Sequence, residues 1–151
     1  MLVYRLSRTS YASDLEGTGA KLYGGRWNNK GTVLIYTSAS RALAVLEFAS
    51  NVELEFLPDD LSVTTYEIPE KDILTVPDKD LPQDWDQLPA PQSAKDFGSS
   101  YFKDQKILCL RVPSVVVQQE YNYLINPESS KFKAVRVMNI SPFEFDSRIK
   151  K

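Results

Sequence analysis

Five of the six glycines in this chain fall between Gly17 and Gly31. Glycine loses more backbone entropy on folding than any other residue, so such crowding marks a loop that needs positive φ or close approach to a ligand. The run Thr32-Val33-Leu34-Ile35-Tyr36-Thr37 follows, β-branched and apolar, and reads as a strand. Ser38 and Ser40 then offer N-cap hydroxyls for a helix through Arg41–Phe48. Loop, strand and helix thus carry one chemical group each: the Arg26 guanidinium, the Tyr36 phenol and the Glu47 carboxylate. That is the layout of a site.

Common nucleotide fingerprints do not account for it. Gly19-x-x-x-x-Gly24 begins like a P-loop, but Gly25-Arg26 stands where the phosphate lysine and magnesium hydroxyl belong. Gly17-x-Gly19 lacks the third glycine of a dinucleotide-binding turn, and no G-x-S-x-G is present. Histidine is absent. That removes histidine-based triads, H-E-x-x-H zinc sites and histidine general bases together. The single cysteine, Cys109, rules out an internal disulfide and fits a reducing cytoplasm; its apolar neighbours suit a buried thiol. No metal site is expected, and the chemistry falls to carboxylates, tyrosines, cations and hydroxyls.

The length of 151 residues suits one domain over residues 1–151, with a sizeable core. A net charge of −2 gives no field that attracts nucleic acid, and no apolar run approaches the roughly 20 residues of a membrane span. Along the chain, 1–7 reads as a strand with Tyr4 and Arg5 on opposite faces, and 61–68 as a second strand closed by Pro69. Residues 77–91 carry four prolines around Trp85 and read as a surface excursion pinned by that tryptophan. A helix is expected over 92–104, weakened by Gly98, with Ala94, Phe97, Tyr101 and Phe102 on one face. Strands are expected at 106–112, 114–118, 121–125 and 133–139, with an edge strand at 141–146. The mixture argues an α+β fold rather than a wound parallel sheet.

Each candidate side chain also has an ordinary reading. Arg26 can stack on Trp27 as a surface cation–π pair, and Tyr36 can be a core tyrosine with a satisfied hydroxyl. Glu47 can face solvent on an amphipathic helix beside Ser40 and Asn51. Arg5 can form a strand-face ion pair, and Ser114 can cap a turn.

The text Gly17-x-Gly19-Ala20…Gly24-Gly25-Arg26-Trp27-Asn28, then Tyr36-Thr37-Ser38 and Ala44-Val45-Leu46-Glu47, resembles the RES domain of bacterial toxin–antitoxin pairs. Leu110-Arg111-Val112-Pro113-Ser114 and Asn122…Asn126-Pro127 continue the resemblance over nearly the whole chain. It implies an ADP-ribosyltransferase-like fold with mixed or antiparallel sheets, and a cytoplasmic enzyme acting on NAD⁺ as substrate. Glu47, Arg26 and Tyr36 would be catalytic. Arg5, Gly25, Arg26, Tyr36, Ser114 and Asn126 would bind the dinucleotide, with Asn122 a further candidate for that wall.

Cleaving the nicotinamide–ribose bond passes through an oxocarbenium-like state that a fixed carboxylate stabilises. Nicotinamide leaves as a neutral base, so a protein without histidine needs no general acid. Transfer to water, phosphate or a protein side chain stays open, as does a homodimer. The partner implied is an Xre-type helix-turn-helix antitoxin that would cover the site and hold any DNA-binding role. Many members carry a histidine shortly after the Asn-Pro pair, where this chain has Glu128-Ser129-Ser130. That departure keeps a rival in view: a non-catalytic nucleotide-binding or protein-interaction module on the same fold.

Overall fold

The computed structural model describes residues 1–149. Seven strands form one mixed sheet: β1 (Leu2–Arg8), β2 (Ile35–Ser38), β3 (Leu61–Glu67), β4 (Ile73–Thr75), β5 (Cys109–Pro113), β6 (Tyr121–Ile125) and β7 (Arg136–Phe143). Their order is β4-β5-β6-β2-β1-β3-β7, and only the β4–β5 pair is parallel. Among the described residues three α-helices accompany the sheet: α1 (Thr18–Tyr23), α2 (Arg41–Ser50) and α3 (Gln92–Phe102). The class is α+β, as the sequence indicates.

Side chains that alternate along the strands divide the core between the two faces. Ile35 and Ile125 join Val3, Tyr66 and Cys109 in one cluster, whereas Leu34, Tyr36 and Leu124 join Trp27, Trp85 and α3 in another. A third cluster packs Val45 and Phe48 of α2 against Leu6, Leu61 and Val63. Ser40 caps α2 by accepting the Leu43 N–H at 3.1 Å. Ser38, the other capping candidate, turns its hydroxyl elsewhere.

Several local expectations are corrected. The strand foreseen at Thr32–Thr37 begins only at Ile35, because its partner β6 ends at Ile125 and leaves 32–34 without a ladder. Residues 114–118 form the β5–β6 loop and not a strand. There the Ser114 hydroxyl accepts the N–H groups of Val116 and Val117 at 3.0 and 3.2 Å, so a side chain replaces a strand partner. The segments expected at 133–139 and 141–146 merge into β7, an edge strand on which Pro142 is tolerated. Part of the glycine-rich loop is the short helix α1, and β4 lies in a stretch that showed no strand signal.

Candidate active site

β1 and β2 are registered at one pair only, Tyr4 with Ser38. β1 continues along β3 and β2 along β6, so beyond that pair the two strands part. A cleft of about 860 Å³ opens there, lined by both strands, by α1, by the Gly24–Trp27 loop and by Glu47 of α2. Its size falls within the range of small-molecule sites, about 300–1,000 Å³. Gly17, Gly24 and Gly31 have positive φ, as the glycine crowding anticipates.

At Gly25 the need is space. A Cβ there would sit 2.6 Å from the Tyr36 hydroxyl and 3.0 Å from Asn28 Oδ1. That hydroxyl donates to Asn28 Oδ1 at 2.6 Å and accepts the Trp27 N–H at 3.1 Å. The Asn28 amide, fully buried, in turn donates to the carbonyls of Ala20, Asn29 and Thr32. Tyr36 is therefore the pin of the loop that carries Arg26. Burial pushes its phenol well above the usual tyrosine range, against the pull of the Trp27 N–H and the Arg26 charge, so it stays neutral. The ring still lines the cleft.

Arg26 is held from the other side. Its Nη1 donates to the carbonyls of Trp85 and Gln87, both at 2.8 Å. A guanidinium has five N–H groups, and those two bonds use both on Nη1. Nε and Nη2 retain three. Partial burial lowers the Arg26 pKa from its usual value, and the negative charges of Glu47 and Asp86 oppose that shift. The proline-rich excursion thus orients the arginine, and Leu88, Pro89 and Ala90 continue it along the cleft wall. Trp85 does pin the excursion, stacking on Trp27 with centroids 6.0 Å apart and planes 20° from parallel. Trp27 is engaged with Trp85 and Phe97, so the Arg26–Trp27 stack is replaced by a carbonyl clamp.

Glu47 is half-buried, and one of its oxygens is strongly engaged. Oε1 accepts from the Ser114 hydroxyl and from Asn122 Nδ2, each at 2.6 Å. Oε2 accepts from none of the described residues. Ser114 is fully buried and reaches the site only through this bond. Arg5 lines the same cleft, and its side chain makes no hydrogen bond or ion pair among the described residues; its charge helps to lower the pKa of Asp14.

Asn126 lies elsewhere. Its side chain holds the Ile107 carbonyl at 3.1 Å and the Glu128 N–H at 3.0 Å, beside a separate small pocket. The turn reading of Asn126-Pro127 describes it better than a place on the cleft wall. Arg5, Gly25, Arg26, Tyr36 and Glu47 come together, and Ser114 supports them from behind. Sequence reasoning missed Asn28, the Trp85 and Gln87 carbonyls and the Ser38–Asn122 pair. Backbone acceptors leave no mark in a sequence, and an asparagine beside a glycine loop reads as a turn residue.

An α+β domain whose sheet splits into a cleft, with three cations (Arg5, Arg26 and Lys95), the Glu47 carboxylate and three tyrosines on its walls, is the class these features define. The profile of the RES domain matches residues 2–146, and the chain belongs to that family. It is 38% identical over 154 residues to Toxin Res of Photorhabdus laumondii, covering 100% of this chain and 98% of that protein. It is 36% identical over 146 residues to the Prs ADP-ribosylating toxin of a Sphingobium species, covering 95% and 91%. A chain in the crystal structure of the M. tuberculosis MbcT–MbcA toxin–antitoxin complex superposes with a TM-score of 0.73 over 94% of this chain and 83% of its own, at 16% identity. At that identity the likeness is one of fold.

Proposed function

We propose that this protein is a toxin that binds NAD⁺ in the β1–β2 cleft and breaks its nicotinamide–ribose bond. The observation that carries the reading is Glu47: a half-buried carboxylate with one oxygen held by two donors and the other unengaged, in a cleft shared with Arg5 and Arg26. The three uncommitted N–H groups of Arg26 suit a pyrophosphate, which a planar guanidinium meets with paired bonds. Arg5 supplies a second positive charge. The Tyr36 ring offers an aromatic face to the cationic nicotinamide.

The C–N bond breaks with its electron pair leaving on nicotinamide, which turns from a pyridinium cation into a neutral base. The ribose C1 is left electron-poor, and the free oxygen of Glu47 stabilises it until an acceptor adds and gives up its proton. Water, phosphate and a protein side chain all satisfy that balance. The names of the relatives, toxins in each case and ADP-ribosylating in one, support the same reading. So does the toxin–antitoxin setting of the structural neighbour. An Xre-type helix-turn-helix antitoxin is the partner we assign. The apolar lips of the cleft, Tyr23 at 78% and Leu88 at 77% exposure, suit such a cover.

The test is nicotinamide release from NAD⁺ by the purified chain, alone, with phosphate and with cell lysate, beside Glu47→Gln. We expect release by the parent and a loss of about 10²–10³-fold in kcat for the variant, the scale of removing one electrostatic stabiliser of a transition state. A parent that releases nothing in all three settings overturns the proposal. So does a variant as fast as the parent.

A further inference from the structure

Glu47 has two chemically equivalent oxygens, yet the structure treats them unequally, and the cause lies in three residues packed behind it, Ser114, Asn122 and Ser38. Ser114 Oγ accepts the N–H groups of Val116 and Val117, which occupy its lone pairs. Its single proton can go only outward, to Glu47 Oε1 at 2.6 Å. Asn122 is the second donor, and an amide has two ends. Were it turned over, its oxygen would face the carboxylate and repel it. Ser38, opposite Asn122 across the β2–β6 ladder and almost fully buried, holds the far end of the amide in the direction that the carboxylate dictates. Its hydroxyl donates to Asn122 Oδ1 at 2.7 Å, because an amide oxygen can only accept. A carboxylate can only accept, so Nδ2 faces Glu47, where it donates at 2.6 Å, and the bond from Ser38 locks that orientation.

We infer that Ser38 and Asn122 are positioning residues, a relay that orients one amide so that Oε1 of Glu47 is fixed and Oε2 is left facing the cleft. Neither residue touches the reacting bond in this scheme. Their effect on turnover rests on the reading of Glu47 given above, whereas the orientation of the amide does not. Ser38 also lies in the one registered pair that joins β1 to β2, so the relay is anchored where the cleft closes.

The relay predicts coupling. Ser38→Ala removes the hydroxyl that locks the far end of the Asn122 amide and leaves the amide held at one end only. Its kcat for nicotinamide release should fall about tenfold with KM unchanged, since a displaced catalytic group costs rate rather than binding. Asn122→Ala should fall at least as far, and adding Ser38→Ala to it should cost nothing more. Ser38→Thr keeps the hydroxyl on a strand that favours β-branching and should restore the parent kcat. A second readout needs no turnover. In ¹⁵N-asparagine-labelled protein the Asn122 side-chain NH₂ should give one shifted, slowly exchanging pair in the parent, lost in Ser38→Ala and in Glu47→Gln.

Independent, additive losses in kcat, or an unshifted Asn122 signal in the parent, overturn the relay. A shifted signal lost on both substitutions, in a chain that never releases nicotinamide, supports the relay and overturns the proposed function instead. Full kcat in Ser38→Ala with the signal lost shows an oriented amide without consequence, and overturns the positioning role.

Discussion

Tyr36 shows how one side chain can serve two purposes in separate parts. Its hydroxyl fastens the Arg26 loop through Asn28 and Trp27, while its ring forms cleft wall. Tyr36→Phe separates them. The ring stays, but a buried amide oxygen and the Trp27 N–H lose their partner. Stability should drop by about 1–3 kcal/mol, the cost of stranded polar groups, read from the shift in denaturant midpoint, and KM for NAD⁺ should rise as the unpinned Arg26 loop loosens. A stability equal to the parent's would mean that the hydroxyl is not the pin.

Asp14 carries the pH dependence at this scale. Partial burial works to raise its pKa, but the backbone N–H groups of Glu16 and Thr18, the Thr18 side chain and the Arg5 charge outweigh that and lower it from the usual 3.8. A lowered folded pKa means that the unfolded chain binds the proton more readily. The stabilisation is therefore complete above the ordinary value and fades as pH falls through the lower folded one. Exchange of the Glu16 and Thr18 amides should speed up as pH falls below about 4, beyond the intrinsic trend, and Asp14→Asn should show no such step. The candidate residues were legible here because their chemistry is rare in this sequence: one arginine among glycines, one acid in an apolar helix. Asn122 and Ser38 were not picked out as a pair, since a cross-strand hydrogen bond is fixed by register, which local pattern does not reveal.

Among the elements, α3 is where local and tertiary preferences disagree. Gly98 weakens a helix, and on propensity alone Gly98→Ala should gain about 1 kcal/mol. In the fold a Cβ at Gly98 would stand 2.0 Å from the Trp27 carbonyl oxygen, a backbone atom that cannot swing aside. The clash decides the sign. Gly98→Ala should destabilise by about 1–3 kcal/mol or more, as overpacking does. It should also loosen the Arg26 loop, which α3 holds through Ser99 accepting the Asn29 N–H at 2.9 Å. A thermal melt gives the first effect, and KM for NAD⁺ the second. An unchanged or raised melting temperature would show that propensity wins.

The strands tell the same story. 61–68 and 121–125 were legible because both pair over their length with neighbours on either side. 32–34 and 114–118 carry equally good strand formers but lie where β6 has ended and leaves no partner, or where a serine hydroxyl replaces one. At 114–118 the expectation failed beside the site, where Pro113, Val115 and Val116 line the cleft. That is where sequences depart from local consistency.

On the scale of the whole molecule, the sheet has a seam. β3 pairs with β1 over seven positions and with β7 along its length, and β6 joins β2 and β5 by full ladders. The two halves meet through one registered pair. α2 spans the seam, packing Val45 and Phe48 beside Leu6 while presenting Glu47 to the cleft on the β2–β6 side. Regions with few shared hydrogen bonds open at lower free energy than a continuous ladder. A dinucleotide bound across the seam would add contacts from Arg5 on one half and Arg26 on the other. Amides of Ile35–Thr37 that face β1 should therefore exchange faster than those of β3, and slow when NAD⁺ is added to the slowly turning Glu47→Gln variant. The stabilisation is set by ligand concentration over Kd, about 2.7 kcal/mol at a hundredfold excess. Slowing confined to the seam, α1 and the Trp85–Ala90 strap locates the ligand in the cleft. Slowing only elsewhere would put NAD⁺ at another site, and the carboxylate in this cleft would need a different substrate.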